Sequence, residues 1–251
     1  MKHGKQPIAD KLLKYQKPTS ELLTTPGDPG QLPVTKISGI PWWPSDVSRP
    51  YCPKYNHPMT FLMQINLADV PGCNSAAELL SLHYCNICRE QGGMSYGWSD
   101  SVNRGYDVRV FSSPANFEPD SKGMIADPII DPCSVGFIQK KEIPNGEVFL
   151  DELLPLMDDS FVLPRQEFDE NVYPGFIHVF RSKLGGWPTW VQYPEWPAYK
   201  DGKKTRKMDF VGQLDASISP QIPWILGGYL YIFASSDADP SGKAEIVLQT
   251  T

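Results

Sequence analysis

The sequence predicts an α+β fold, rich in β-structure, with two halves related by a pseudo-twofold internal repeat. Three observations predict it. First, one block occurs twice in the 251 residues, as Thr35-Lys36-Ile37-Ser38-Gly39-Ile40-Pro41-Trp42-Trp43 and as Ser182-Lys183-Leu184-Gly185-Gly186-Trp187-Pro188-Thr189-Trp190. Each copy is followed by an apolar run with one glutamine, Phe61 to Ile65 around Gln64 and Phe210 to Leu214 around Gln213. The Lys-to-Gln spacings are 28 and 30. A third run follows each, Leu80 to Cys85 and Tyr229 to Ala234. Second, 25 prolines and 20 glycines punctuate short aromatic and β-branched runs, as in a strand-and-turn protein. Third, helical spacing is scarce and short.

Taken in order, Ile8 to Leu13 has helical spacing that extends toward Leu23, and Thr25-Pro26-Gly27-Asp28-Pro29-Gly30 is a turn cluster. After the Gln64 run, Asn74 or Ser75 is placed to cap a short helix through Leu80. Val108 to Phe111 and Val135 to Lys140 read as strands, with a polar, turn-rich stretch from Pro114 to Pro132 between them. Glu147 to Met157 reads as a helix and Phe176 to Phe180 as the strand leading into the second copy. In Gly228 to Ala234, Tyr229, Tyr231 and Phe233 alternate with Leu230, Ile232 and Ala234, as expected for a strand. Ala244 to Leu248 is the last strand, after a turn at Asp237 to Gly242. The organisation expected is an N-terminal helical or flexible segment (1–33), a first half (34–140) and a second half (141–251), with the boundary near 135–147, in one compact unit.

A net charge of −6 disfavours wholesale attachment to nucleic acid or an anionic membrane. Lys200 to Lys207 is a local exception, read either as a solvated loop between strands or as a phosphate-binding patch. No apolar run reaches the ~18 residues of a membrane span. The basic start Met1-Lys2-His3-Gly4-Lys5 is followed by no apolar segment, so a cytoplasmic location is expected. Five cysteines, two of them as Cys85-Asn86-Ile87-Cys88, suggest thiols or a metal rather than a disulfide framework.

Within the repeated blocks, the glycines permit left-handed backbone or close approach and the prolines fix the turn that follows. Gln64 and Gln213, set in apolar strands, need partners. They either bond the Gly-Pro loop of their own half or contact a ligand. Lys36 and Lys183 are either ordinary strand-end lysines or a dibasic anion site facing a shared cleft. Trp42, Trp43, Trp187, Trp190 and Trp196 are expected near the turns, lining a groove between the halves.

Lys183-Leu184-Gly185-Gly186-Trp187-Pro188, Trp196-Pro197, Met208 to Leu214, and Phe61 to Leu67 in the first copy resemble the YwqG-like family of unknown function. That family is similar to a wider group containing programmed-cell-death-2 proteins, linked to ribosome maturation as binders of a ribosomal protein. The resemblance covers about 33 to 235 but is specific only in these blocks. It implies a binding or chaperone-like role and no established activity.

Pro50 to Met59 has the layout of a zinc knuckle, Cys-Pro-x-Cys-Gly-x-Pro-Met, with Tyr55 at the second cysteine and Asn56 at the tight-turn glycine. The resemblance extends to paired Cys-x-x-Cys elements. A structural zinc takes four ligands, usually thiolate or imidazole. Cys52, Cys85 and Cys88 supply three, and His57, His83 or Cys73 would supply the fourth. The alternative is a knuckle that has lost its metal and kept its fold. Cys133 reads as a buried thiol.

No nucleophile elbow, P-loop, zincin or dinucleotide motif is present. The expectation is therefore a non-enzymatic protein-binding module, chaperone-like or immunity-like toward a basic partner protein. Its surface would be the tryptophans with Lys36 and Lys183, and its mode the addition of an extended peptide to a strand edge. The alternative is a zinc-knuckle factor in ribosome or RNA maturation, using Lys203 to Lys207 and stacking aromatics on nucleic acid.

Overall fold

The computed structural model describes residues 13–30, 33–73, 77–90, 105–112, 116–120, 130–145, 148, 179–201, 203–216, 218, 228–235 and 243–250. The runs with period-two alternation form strands. Among the described residues these are β1 (Lys17–Pro26), β2 (Lys36–Ile37), β3 (Trp42–Pro44), β4 (Tyr51–Cys52), β5 (His57–Pro58), β6 (Thr60–Asn66), β7 (Leu79–Tyr84) and β8 (Tyr106–Phe111). They continue with β9 (Phe117–Pro119), β10 (Cys133–Glu142), β11 (Lys183–Gly185), β12 (Ala198–Asp201), β13 (Lys204–Lys207), β14 (Asp209–Leu214), β15 (Gly228–Ala234) and β16 (Ala244–Thr250).

The expected α+β composition does not hold, because the described chain is almost entirely β. The one α-helix that lies wholly within the described residues, α1 (Asn86–Glu90), has five residues, and Leu67–Asp69 adds one 3-10 turn. The helical spacing extended toward Leu23 is overridden. Lys17–Pro26 is a ten-residue strand paired along its whole length with β10, from Lys17 opposite Glu142 to Pro26 opposite Cys133. Leu79 and Leu80, expected at a helix end, begin β7. Lys200 to Lys207, expected as a loop, forms most of the β12–β13 ribbon. The helix expected at Glu147 to Met157 and the turn at Asp237 to Gly242 lie outside the described residues, apart from Val148. So does most of the strand at Phe176 to Phe180.

Ten strands make one sheet, in the order β16-β15-β14-β11-β1-β10-β2-β6-β7-β8. The sheet curls until its edge strands β8 and β16 lie against each other. β1 and β10 occupy the middle, and strands following the two repeated blocks flank them on either side. The pairings on the two sides match. Lys36 lies opposite Gln64 and Lys183 opposite Gln213. The register shifts once between Phe61 and Met63, and once between Phe210 and Gly212.

Alternation in the strands gives the sheet two covered faces. Leu80, Leu82, Leu230, Ile232, Ile246 and Leu248 turn inward to the main core, with Met63, Ile65 and Leu184. On the outer face of β15 and β16, Tyr231, Phe233 and Val247 are covered by Trp187, Trp190 and Met208. Among the described residues, no helix is long and apolar enough to cross a membrane.

Candidate functional site

The cysteine cluster is built by a hairpin and a turn. β4 and β5 pair with Tyr51 opposite Pro58 and Cys52 opposite His57. Asn56 closes the hairpin at φ 47°, donating its N–H to the Cys52 carbonyl at 2.8 Å. Asparagine tolerates this left-handed turn position better than most residues. Cys85 follows β7 and donates its N–H to Gly105 O at 2.8 Å. Cys88, in α1, donates its own N–H to Cys85 Sγ at 3.4 Å.

These elements bring Cys52, Cys85 and Cys88 together. Their sulfurs all lie within 4.8 Å of one another, and the Cys52 and Cys88 sulfurs are 3.6 Å apart. All three are free thiols, buried in a small apolar cluster with Met59, against which Tyr55 and Ile87 pack. Four thiolates at ~2.3 Å around a tetrahedral zinc stand about 3.8 Å apart, so the spacing suits a metal ion. Burial raises the Cys85 thiol and pushes Cys88 up to about 12. Burial also opposes ionisation of Cys52. Backbone N–H groups of Tyr55 and Lys54, with the two neighbouring thiols, outweigh it and hold Cys52 below its ordinary value. Gly105 completes the enclosure. A β-carbon there would stand 2.8 Å from Cys88 Cβ, and its φ is +83°. Nothing in the sequence marked that glycine.

Of the three residues considered for the fourth ligand, none joins this cluster of described residues. His83 is buried on the outer face of β7, edge-on to the Trp43 ring with centroids 5.2 Å apart. Burial first, then the Arg109 and Arg49 cations, lower its imidazole to about 3. Cys73 lines the cavity described below. His57 is half-buried, with Nδ1 2.8 Å from the Pro58 carbonyl oxygen.

The lysines do not form a dibasic site. Lys36 is buried and donates from Nζ to Gly30 O at 3.0 Å. Burial lowers its pKa while Asp28 opposes the shift. Lys183 is buried and donates to both carboxylate oxygens of Glu142, at 2.7 and 2.9 Å, and to Thr189 Oγ1 at 3.2 Å. Each ammonium has its own separate partner, because a bare buried cation is too costly to leave unpaired.

The glutamines serve the loops. Gln64 accepts from Trp42 N at 2.9 Å and donates to Val34 O at 2.8 Å. Gln213 accepts from Thr189 N at 2.9 Å and donates to Arg181 O at 3.1 Å. The loops are thereby folded back over the sheet, and that buries the rings they carry. Trp43, Trp187 and Trp190 are core residues. Trp190 stacks on Phe233 and lies against Tyr231, while Trp43 meets Phe111 edge-on. These three cannot serve as an exposed binding surface; Trp42 and Trp196 remain half-buried. Nor is the cavity between the 71–73 turn and the strands β1, β11 and β14 lined by tryptophan. It measures about 320 Å³, and its walls include Lys17, Cys73, Gly185, Asp209, Phe210 and Ser235.

No curated protein matches the chain. A family model described as a domain of unknown function, DUF1963, matches residues 35–171, a stretch that holds the first block and all three clustered cysteines. The chain belongs to this DUF1963 family.

Proposed function

We propose that the chain is a non-enzymatic protein-binding domain of the YwqG-like group within this family, with one hairpin fastened by a structural zinc ion. The observation that carries the binding role is the outer edge of β10. β1 pairs with all ten of its residues, whereas β2 pairs only with Cys133 and Ser134. Among the described residues, no strand pairs with the rest of that edge. Ile138 is 41% exposed beside it, and Leu23, on the same face of the β1–β10 ribbon, is 46% exposed. An extended peptide adds to such an edge through main-chain hydrogen bonds, with neighbouring apolar side chains giving selectivity. The net charge of −6 favours a basic partner. Three buried titratable groups serve the packing. Lys183, His83 and Tyr231 are all buried within the packing of the scaffold.

Zinc is the metal we assign to Cys52, Cys85 and Cys88, with His57 as fourth ligand. Directly opposed residues of an antiparallel pair share a face with Cβ atoms about 4.5–5.5 Å apart, so His57, which stands outside the three-cysteine cluster, is opposite Cys52 and would turn its ring toward the thiols to bind. A hydrogen bond from Nδ1 to a backbone carbonyl leaves Nε2 as the donor atom, the usual arrangement for a ligating histidine.

The binding role is tested by capturing the partner from native lysate with the wild-type chain and with Ile138→Lys, which charges the edge. Loss of a stoichiometric basic partner with an unchanged circular dichroism spectrum is expected. Undiminished capture by Ile138→Lys rules out this edge. Elemental analysis tests the metal, with one zinc per chain expected and none after Cys88→Ser.

A further inference from the structure

A second surface lies on the ribbon of β12 and β13. Across residues 191–207 the chain places Lys200, Lys203, Lys204, Arg206 and Lys207 against two acids, Glu195 and Asp201, within a protein of net charge −6. All five basic residues are exposed. The register puts Lys200 and Lys207 on one face of the ribbon with Ala198 and Thr205. Asp201, Lys204 and Arg206 lie on the other, with the buried Tyr199. Lys200 donates to Thr205 Oγ1 at 2.6 Å, which orients its charge without neutralising it. Arg206 is paired with Asp201 at 2.6 Å.

One aromatic ring stands beside these charges, and a second lies in the loop that precedes them. The Lys207 ammonium lies 5.8 Å from the Trp196 ring centroid, and Trp196 is half-buried against Trp190 and Phe233. Tyr193, in the loop that leads into β12, is 81% exposed, the most exposed large hydrophobic residue among the described residues. Its backbone is nevertheless fixed. Gln249 donates from Nε2 to Tyr193 O at 2.8 Å and accepts from Gln192 N at 3.2 Å, while Gln192 Nε2 donates to Thr250 O at 2.7 Å. A ring held out from an anchored loop gains nothing for the fold and is already placed for stacking.

We infer that the β12–β13 ribbon and the loop carrying Tyr193 form a binding surface for single-stranded nucleic acid. Ammonium groups along one ribbon face meet the phosphates, and Tyr193 offers a stacking platform for a base. A duplex, whose bases are already stacked, has no use for that ring.

The test is fluorescence anisotropy of the full chain with a labelled mixed-sequence single-stranded RNA, the same RNA as a duplex, and a labelled polyglutamate peptide. Single-stranded RNA is expected to bind at low salt, with a slope of log affinity against log salt of roughly −1.4 for the two ammonium groups, Lys200 and Lys207, on that face. Tyr193→Ala is expected to weaken RNA binding about tenfold and to leave polyglutamate unaffected. Charge reversal at Lys200 and Lys207, both exposed and on one face of the ribbon, is expected to abolish binding with the fold intact by circular dichroism. Absence of RNA binding at low salt overturns the inference, as does full binding by the reversal variant. Equal affinity for polyglutamate that is indifferent to Tyr193→Ala also overturns it, and would reassign the surface to an acidic protein.

Discussion

Lys183 and Glu142 form an ion pair in which both side chains are buried, with the ammonium 2.7 and 2.9 Å from the two carboxylate oxygens. Glu142 also accepts the backbone N–H of Val179 and of Trp187, each at 2.9 Å. One carboxylate thus ties the end of β10 to β11 and to the tryptophan loop. Glu142→Ala leaves a buried cation and two unanswered N–H groups. A loss of about 3–5 kcal/mol is expected in urea unfolding. The double change Glu142→Leu with Lys183→Met is expected to recover part of it, since the cation is gone while the two N–H groups stay unpaired.

His83 is expected to make the protein sensitive to acid. Its imidazole falls from about 6.5 to about 3 through burial and the Arg109 and Arg49 cations, and Asp120 lines the same small pocket. The folded state holds it neutral, while the unfolded chain binds a proton between those values. Stability contributed by this group is therefore present above pH 6.5 and is lost as pH falls toward 3, at about 1.4 kcal/mol per pH unit. The corresponding position in the second block, fixed by its pairing with Phe210, is Phe233. His83→Phe is expected to flatten the profile of unfolding free energy between pH 4 and 6.5. An unchanged profile would show that another group carries the acid sensitivity.

Two glycines with nearly equal backbone angles should respond differently to alanine. Gly72 has φ +74°, and a β-carbon added there would meet nothing within 4 Å, so only the left-handed penalty of about 1–2 kcal/mol is expected. Gly186 has φ +75°, and a β-carbon would fall 2.1 Å from Glu142 Oε1. Gly186→Ala must therefore displace the carboxylate that holds Lys183. Its cost in thermal unfolding is expected to exceed that of Gly72→Ala several-fold.

Removing the proposed zinc should loosen the hairpin first. Chelation is expected to speed amide hydrogen exchange across β4, β5 and α1 while β14 to β16 keep their protection. His57→Ala is expected to weaken cobalt binding and shift its visible spectrum, and His57→Cys to restore affinity. A spectrum unmoved by His57→Ala would give the fourth position to another ligand.

Much of this was legible in the sequence. An amide placed inside an apolar strand must find partners, so the bonds of Gln64 and Gln213 to their own loops could be read from the two blocks alone. The alternation in Gly228 to Ala234 likewise announced a strand with two buried faces. The lysines were harder, since the acid that answers Lys183 lies in β10, outside the repeated block. The tryptophans were harder still. Ring content says that a large apolar area exists, but not which way a loop turns it, and here the glutamines turn it inward. The strand at Lys17–Pro26 was hidden because its partner comes from so far along the chain that no local pattern announces it. At the cysteine cluster, the thiols were visible as ligand types, whereas Gly105 matters only because of the space it leaves.

The place of β1 between β10 and β11 bears on how the molecule comes into being. A strand made early has to wait for partners translated much later, so the middle of the sheet is the last part that can close. High contact order of this kind slows folding and prolongs the exposure of unpaired edges. The two flanking groups of strands, β6 to β8 and β14 to β16, pair with near neighbours and can assemble first as independent meanders. A newly made chain would then pass through a stage of two preformed wings lacking the seam between them, and at that stage aggregation competes most strongly with folding.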